Sequence, residues 1–127
     1  MMEPIESKGA PSPSGPYSQA VISGNFVFVS GQIPLDPANG EIPAGTDDQV
    51  RVVMKNLISI LSAAGVGKGS VLRVTVYLTD MNDFALMNSI YADTFSVPYP
   101  ARTCVGVSSL PKGARIMVDA IGEMNGH

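Results

Sequence analysis

The chain's single cysteine, Cys104, stands two residues after Arg102 in the run Pro100-Ala101-Arg102-Thr103-Cys104-Val105. The run reads as a β-strand, and side chains two apart in a strand project to one side, about 7 Å from each other. A guanidinium and a thiol would then look into the same space, with Thr103 and Val105 facing the other way and Gly106 leaving room beside the pair. Arginine offers a planar fork that grips a small carboxylate through two parallel hydrogen bonds. It serves equally well as an exposed strand residue or as half of an ion pair, and spacing alone does not separate these roles. Cys104 has no histidine near it in sequence to take its proton, so covalent thiol catalysis is disfavoured. A small, half-apolar packing residue is the simpler role for its side chain.

Composition narrows the field around that pair. The only histidine, His127, is the last residue, which leaves no histidine-centred triad or metal cluster to expect. With 127 residues, 45% hydrophobic and 15% charged, the chain is expected to form a single domain over 1–127 with a core that needs no staples. So low a charged fraction also hints at surface hidden in an oligomer. A net charge of −3 argues against nucleic acid or an anionic membrane surface as partners. The lone cysteine cannot close an internal disulfide and suits a reducing compartment. Met1–Ser14 is polar and proline-rich, without the apolar stretch of a secretory signal, and no segment approaches the ~20 apolar residues of a membrane span. A cytoplasmic location is the expectation.

The elements that must position the pair are legible from periodicity. After a lead-in of fifteen residues rich in Pro, Ser and Gly, Ser18–Ile22 and Phe26–Ser30 flank Ser23-Gly24-Asn25 and predict a hairpin. Thr46-Asp47-Asp48-Gln49 matches a capping box. Val50, Val53, Met54, Leu57, Ile60, Leu61 and Ala64 follow at helical spacing, and Gly65 is placed to end that helix. Val71–Leu78 predicts a strand buried on both faces. Asp80 or Asn82 can cap a second helix whose apolar face carries Phe84, Met87, Tyr91 and Phe95, with Pro98 and Pro100 beyond its end. Strands over 101–108 and 115–123 complete the order β-β-α-β-α-β-β. That order predicts an α+β two-layer sandwich, a mixed sheet with two helices on one face. Its other face is left to be buried against further copies of the chain.

Other constellations carry less. Gly65-Val66-Gly67-Lys68-Gly69-Ser70 lacks the spacing of a phosphate loop and follows a helix instead of opening one, so it reads as a turn. Met54, Met81 and Met87 read as packing residues. Tyr17 suits either the rim of a site or ordinary packing. Ser30-Gly31-Gln32 is either a plain strand end or a place where backbone approaches a ligand closely.

Taken together, Gly15-Pro16-Tyr17-Ser18-Gln19-Ala20, Ser30-Gly31-Gln32-Ile33-Pro34, Asp83-Phe84 with Asn88 and Tyr91, the Arg102/Cys104 run and Leu110-Pro111-Lys112 resemble the reactive-intermediate deaminase family, also called Rid or YjgF-like. The resemblance spans about Gly15 to Gly122. It implies a chorismate-mutase-like fold assembled as a homotrimer with clefts between subunits. It also implies hydrolysis of 2-imino acids and their enamine tautomers, such as 2-iminobutanoate and 2-iminopropanoate, to 2-keto acids and ammonia. No cofactor or metal is implied. By the same resemblance Arg102 would clamp the substrate carboxylate, and Tyr17, Ser30, Gly31, Asn88 and Cys104 would line the cleft. The main chain near Cys104 would help place the imine nitrogen or the water.

One position departs from the family pattern. Deaminating members carry a glutamate in the last strand, thought to orient or activate the attacking water, and the matching residue here is Met117. A thioether accepts no proton at neutral pH. Asp119 shares the face of Met117, about 7 Å farther along the strand; it would either serve through a water or, the simpler reading, stand as a solvated or ion-paired carboxylate at a subunit interface. Two functions therefore stand side by side: an imine deaminase, and a non-catalytic trimeric binder of small 2-keto or other carboxylates that modulates a partner enzyme. A ribonuclease is disfavoured by the acidic balance and by the absence of a histidine pair.

Overall fold

A computed structural model of the chain describes residues 2–124, so His127 lies outside the described residues. Six strands, β1 (Glu3–Ile5), β2 (Ala20–Ser23), β3 (Phe26–Gln32), β4 (Val71–Leu78), β5 (Ala101–Gly106) and β6 (Ile116–Glu123), form one mixed sheet in the order β1-β2-β3-β6-β4-β5. Among the described residues only the β4–β5 pair is parallel, because α2 (Phe84–Thr94) makes the crossover between them. Helices α1 (Thr46–Ala63) and α2 pack together on one face of the sheet. The two-layer α+β arrangement predicted from the order of elements is the one observed.

The added strand is β1, in a segment that reads from sequence as lead-in. It pairs antiparallel with β2, Pro4 opposite Val21. What holds this arm is Gln19, which is 2% exposed. Its side-chain amide donates to the carbonyls of Ser7 at 3.1 Å and Pro11 at 2.7 Å, while its Oε1 accepts from Ser7 N at 2.5 Å. A buried amide is tolerated only when its donors and acceptor are satisfied in this way.

The α1 periodicity is realised in full: Val50, Val53, Met54, Leu57, Ile60 and Leu61 are buried. Gly65 adopts φ +81° after the last turn, a left-handed conformation suited to glycine. The expected capping box is not formed. Thr46 lies inside the helix, Gly45 is the N-cap without a side-chain bond, and Gln49 turns away from the helix end. Its amide donates to Pro43 O at 2.9 Å and its Oε1 accepts from Arg115 N at 2.9 Å, while Arg115 also bonds the Thr46 hydroxyl. The two box residues thus fasten the start of β6 to the start of α1. A long-range partner outcompetes the local cap.

Strand β4 differs from expectation as well. Val71, Val74, Val76 and Leu78 are buried against the helices, whereas Arg73 is exposed and Thr75 and Tyr77 are half-buried on the opposite face. Its dense β-branched composition therefore covers one buried face and one that no helix covers. The core lies between sheet and helices, with Leu57, Ile60, Leu61, Val74, Val76, Leu78, Met87, Ile116 and Val118 all at 2% exposure or less. Each such side chain stabilises the fold by roughly 1.5–3 kcal/mol through burial. Gly122 is part of the fit, since a Cβ there would lie 2.7 Å from Val66 Cγ1.

Candidate functional site

Register fixes which way each residue of β5 faces. Arg102 pairs with Val74, Cys104 with Val76 and Gly106 with Leu78, so all three share the helix side of the sheet. Ala101, Thr103 and Val105 take the uncovered side. The inferred common orientation of guanidinium and thiol therefore holds. Gly106 leaves less room than its size suggests, because Met81 Cγ sits 3.2 Å from the position of a Cβ there.

Being on the edge strand, Arg102 reaches past the sheet toward α2. Phe84, Met87 and Tyr91 repeat at i, i+3 and i+7 on that helix and form a cradle for its guanidinium. The guanidinium carbon lies 4.8 Å from the Tyr91 ring centre and 5.6 Å from that of Phe84. Its Nη1 is 3.9 Å from Met87 Sδ. Such faces attract a guanidinium electrostatically, by about 0.5–2 kcal/mol, without using its hydrogen-bond donors. No carboxylate pairs with Arg102 among the described residues. The ion-pair role left open by spacing is thus excluded within the described chain.

The guanidinium opens on a cleft of about 540 Å³ lined by Asn88, Tyr91, Ala92, Tyr99, Pro100 and Arg102. Tyr91 is 5% exposed, and burial raises its phenol pKa more than the Arg102 charge lowers it. Burial likewise raises the pKa of the half-buried Cys104 thiol, outweighing the nearby guanidinium. The thiol is therefore protonated at neutral pH and packs against the core as a small hydrophobe.

The remaining expected site residues lie elsewhere in the same chain. Tyr17 and Gly31 line a narrow crevice of about 40 Å³ with Pro11, Ser12 and Lys112. Next to it the Ser30 hydroxyl donates to Ser18 O at 2.6 Å. Met117 belongs to this second group, on the uncovered face of the sheet. A Cβ on Gly31 would lie 2.9 Å from Met117 Sδ, at a point where the β3–β6 register shifts. Glycine at position 31 is what lets the thioether lie across the strand. Asp119 is neither free nor ion-paired: the Tyr77 hydroxyl donates to its Oδ2 at 2.8 Å. That bond to Asp119 is the foremost reason the Tyr77 pKa is raised, with burial second.

The expected site residues thus fall into two separate groups within one chain. Arg102 and Asn88 line the cleft beside α2, with Cys104 on the same side of the sheet, whereas Gly31 and Met117 meet on the uncovered side, with Tyr17 lining the crevice at Gly31. The aromatic cradle and the Gln19 clasp are parts that sequence reasoning did not assign. The signal for the cradle was present in the Phe84/Met87/Tyr91 stripe, but a stripe does not say that an arginine from a distant strand lies on it. Among the described residues no group of three or more His, Cys, Asp or Glu side chains is placed to hold a metal ion. None of the described helices is long and apolar enough to cross a membrane.

This fold and site define a class. The family model described as Endoribonuclease L-PSP matches residues 7–124. The chain belongs to this family, the reactive-intermediate deaminase or Rid/YjgF-like proteins. A RutC family protein of Pyrococcus horikoshii is 53% identical over 122 residues, covering 95% of this chain and 97% of that one. The 2-iminobutanoate/2-iminopropanoate deaminase of Escherichia coli is 41% identical, covering 95% and 97%. Among solved structures, E. coli TdcF with bound serine superposes with a TM-score of 0.92 at 41% identity, over 97% of this chain and 99% of that one.

Proposed function

We propose that the cleft beside Arg102 binds the carboxylate of a small 2-imino acid and promotes its hydrolysis to the 2-keto acid and ammonia, without a cofactor. The observation that carries this reading is the state of Arg102, a guanidinium cradled on Phe84 and Tyr91, free of any carboxylate among the described residues, and facing an open cleft. A bidentate grip on the acid group fixes the neighbouring imine carbon. Water then adds to that carbon, a proton passes from oxygen to nitrogen, and the carbinolamine collapses with loss of ammonia. Since the iminium carbon is already electrophilic, positioning supplies much of the rate. Asn88, on the same cleft, is suited to hydrogen-bond the nitrogen or the water, and the main chain at Cys104 to help place them. Its protonated thiol supports no nucleophilic role.

The reading includes assembly. Tyr17, Ser30 and Gly31 complete the site only if another copy of the chain brings them to Arg102, so the working form is a homotrimer with clefts between subunits. Burial of the uncovered sheet face, which exposes Phe26, Phe28 and Val105 in the single chain, supports such an assembly. The test couples the protein to a threonine dehydratase and follows 2-ketobutyrate. The expected outcome is faster appearance with the protein than without it, lost in Arg102→Ala. No acceleration at micromolar protein would remove the reading.

A second reading is favoured by Met117 together with the Tyr77–Asp119 bond, which engages the carboxylate that follows Met117 on the same face of β6. In it the trimer binds small carboxylates without turning them over and modulates a partner enzyme. Calorimetry with 2-ketobutyrate or benzoate, showing Arg102-dependent heat without imine turnover, would select it.

A further inference from the structure

A second groove lies on the outer side of the helical layer, away from Arg102. Arg51, Met54, Lys55 and Ile58 repeat at i, i+3, i+4 and i+7 along α1, and Ile90, Asp93 and Thr94 face them from α2. Lys68 also lines the groove, a space of about 340 Å³. Its floor is apolar, with Met54 at 2% exposure and Ile90 at 6%. Its rim is cationic. Three of the chain's eight Lys and Arg residues meet here against one carboxylate, in a protein whose net charge is −3.

None of Arg51, Lys55, Lys68 or Asp93 makes a side-chain hydrogen bond or ion pair among the described residues. Arg51 and Lys55 stand at i, i+4 on one helix, where like charges repel and destabilise by a few tenths of a kcal/mol. A chain with an acidic surplus thus concentrates unneutralised cations around an apolar trough. The trough is within the size range of small-molecule sites.

We propose that this groove binds a phosphorylated small molecule. Its phosphate dianion would be met by Arg51, Lys55 and Lys68, and its apolar part would rest on Met54 and Ile90. A dianion matches the local charge better than a monocarboxylate, and lysines on flexible stems bind phosphate as point charges while arginine adds a fork. Helix α2 is the wall shared with the Arg102 cleft: Asn88 and Tyr91 face that cleft, Ile90 and Thr94 face this groove.

The probes are phenyl phosphate, inorganic phosphate and benzoate, titrated into the isotope-labelled full chain and followed by backbone amide shifts. Phenyl phosphate should shift Arg51, Lys55, Lys68 and Ile90 saturably and inorganic phosphate should do so more weakly, while benzoate should leave them unmoved. Lys55→Glu should weaken phenyl phosphate at least about tenfold, since it removes one of the cations on which a dianion depends and adds a like charge. Arg102→Ala should leave it intact, which keeps this test separate from that of the imine site. All three cations are exposed, so the variants should fold, and Lys68→Gln provides an independent second case. The proposal is overturned if millimolar phenyl phosphate shifts none of these residues, if it shifts only the Arg102 cleft, or if neither variant weakens it. Binding of an acidic peptide or an oligoribonucleotide alone, with none of the small phosphomonoester, overturns it too.

Discussion

Arg102 gets its character from what surrounds it. Aromatic faces flank the guanidinium, its Nη1 donates one long bond to the Met87 thioether, and none of its donors is spent on a carboxylate among the described residues. Replacing Tyr91 by Leu should therefore raise the Kd for 2-ketobutyrate several-fold, a loss of about 0.5–1 kcal/mol of cation–π support, as calorimetry would show. Met117 sets the opposite limit. If the protein is a deaminase that has lost a base, Met117→Glu should raise its turnover by ~10²–10⁴-fold. An unchanged rate in the coupled assay would mean that the water is activated elsewhere. Cys104, held protonated by burial, should react slowly with iodoacetamide at pH 7–8, and a Cys104→Ser variant should keep most of any activity.

Strands and helices decide which residues can cooperate. Across the uncovered face of the sheet, register aligns Val105, Tyr77 and Met117 in one row and Thr103, Thr75 and Asp119 in the next. The Tyr77–Asp119 bond runs diagonally between those rows, so it ties β4 to β6 beyond their backbone ladder. Tyr77→Phe should cost about 1 kcal/mol, the usual worth of such a bond at a partly exposed site. The pH dependence has a definite sign. The folded-state pKa of Tyr77 is raised above the ordinary value of 10.0, so its contribution is fully present below about pH 10 and is lost as pH climbs through the folded value. Urea midpoints measured from pH 8 to 11 should fall more gently for Tyr77→Phe than for the parent. Gly122 tests the packing of the same sheet on the exit loop of α1. Its substitution by Ala would push a methyl to 2.7 Å from a buried valine and should destabilise by about 1–3 kcal/mol through overpacking.

At the scale of the molecule, Arg102 faces the helices whereas Gly31 and Met117 meet on the uncovered side of the same sheet. In the proposed trimer, one chain would supply the carboxylate clamp at Arg102 and another the Tyr17, Ser30 and Gly31 surface that faces it. Phe28→Asp, far from Arg102 in the chain and on the uncovered face opposite Ile121, should convert a trimer to monomers in sedimentation experiments. The same variant should lose 2-ketobutyrate binding with its Arg102 cradle intact. A monomeric variant that still binds would show that the clamp alone suffices.

Much of this was written locally. The 3.6-residue rhythm from Val50 to Ala64, the β-branched density of 71–78 and the Arg102/Cys104 alternation each report a periodic burial that any chain with those residues must satisfy. What could not be read locally were bonds whose partners lie far apart in sequence. Gln49 abandons its cap for Arg115, Gln19 clasps the first strand, and Tyr77 finds Asp119. The residue types alone thus determined a two-layer fold, a guanidinium and a thiol on one side of a strand, and a family pattern with methionine in the place of a base. Only the folded sheet decided that Arg102 faces the helices, cradled there with no carboxylate partner among the described residues, and that Gly31 and Met117 meet on its far side. Pairing register assigns every strand side chain to a face, and register is a property of strands that meet from opposite ends of the sequence.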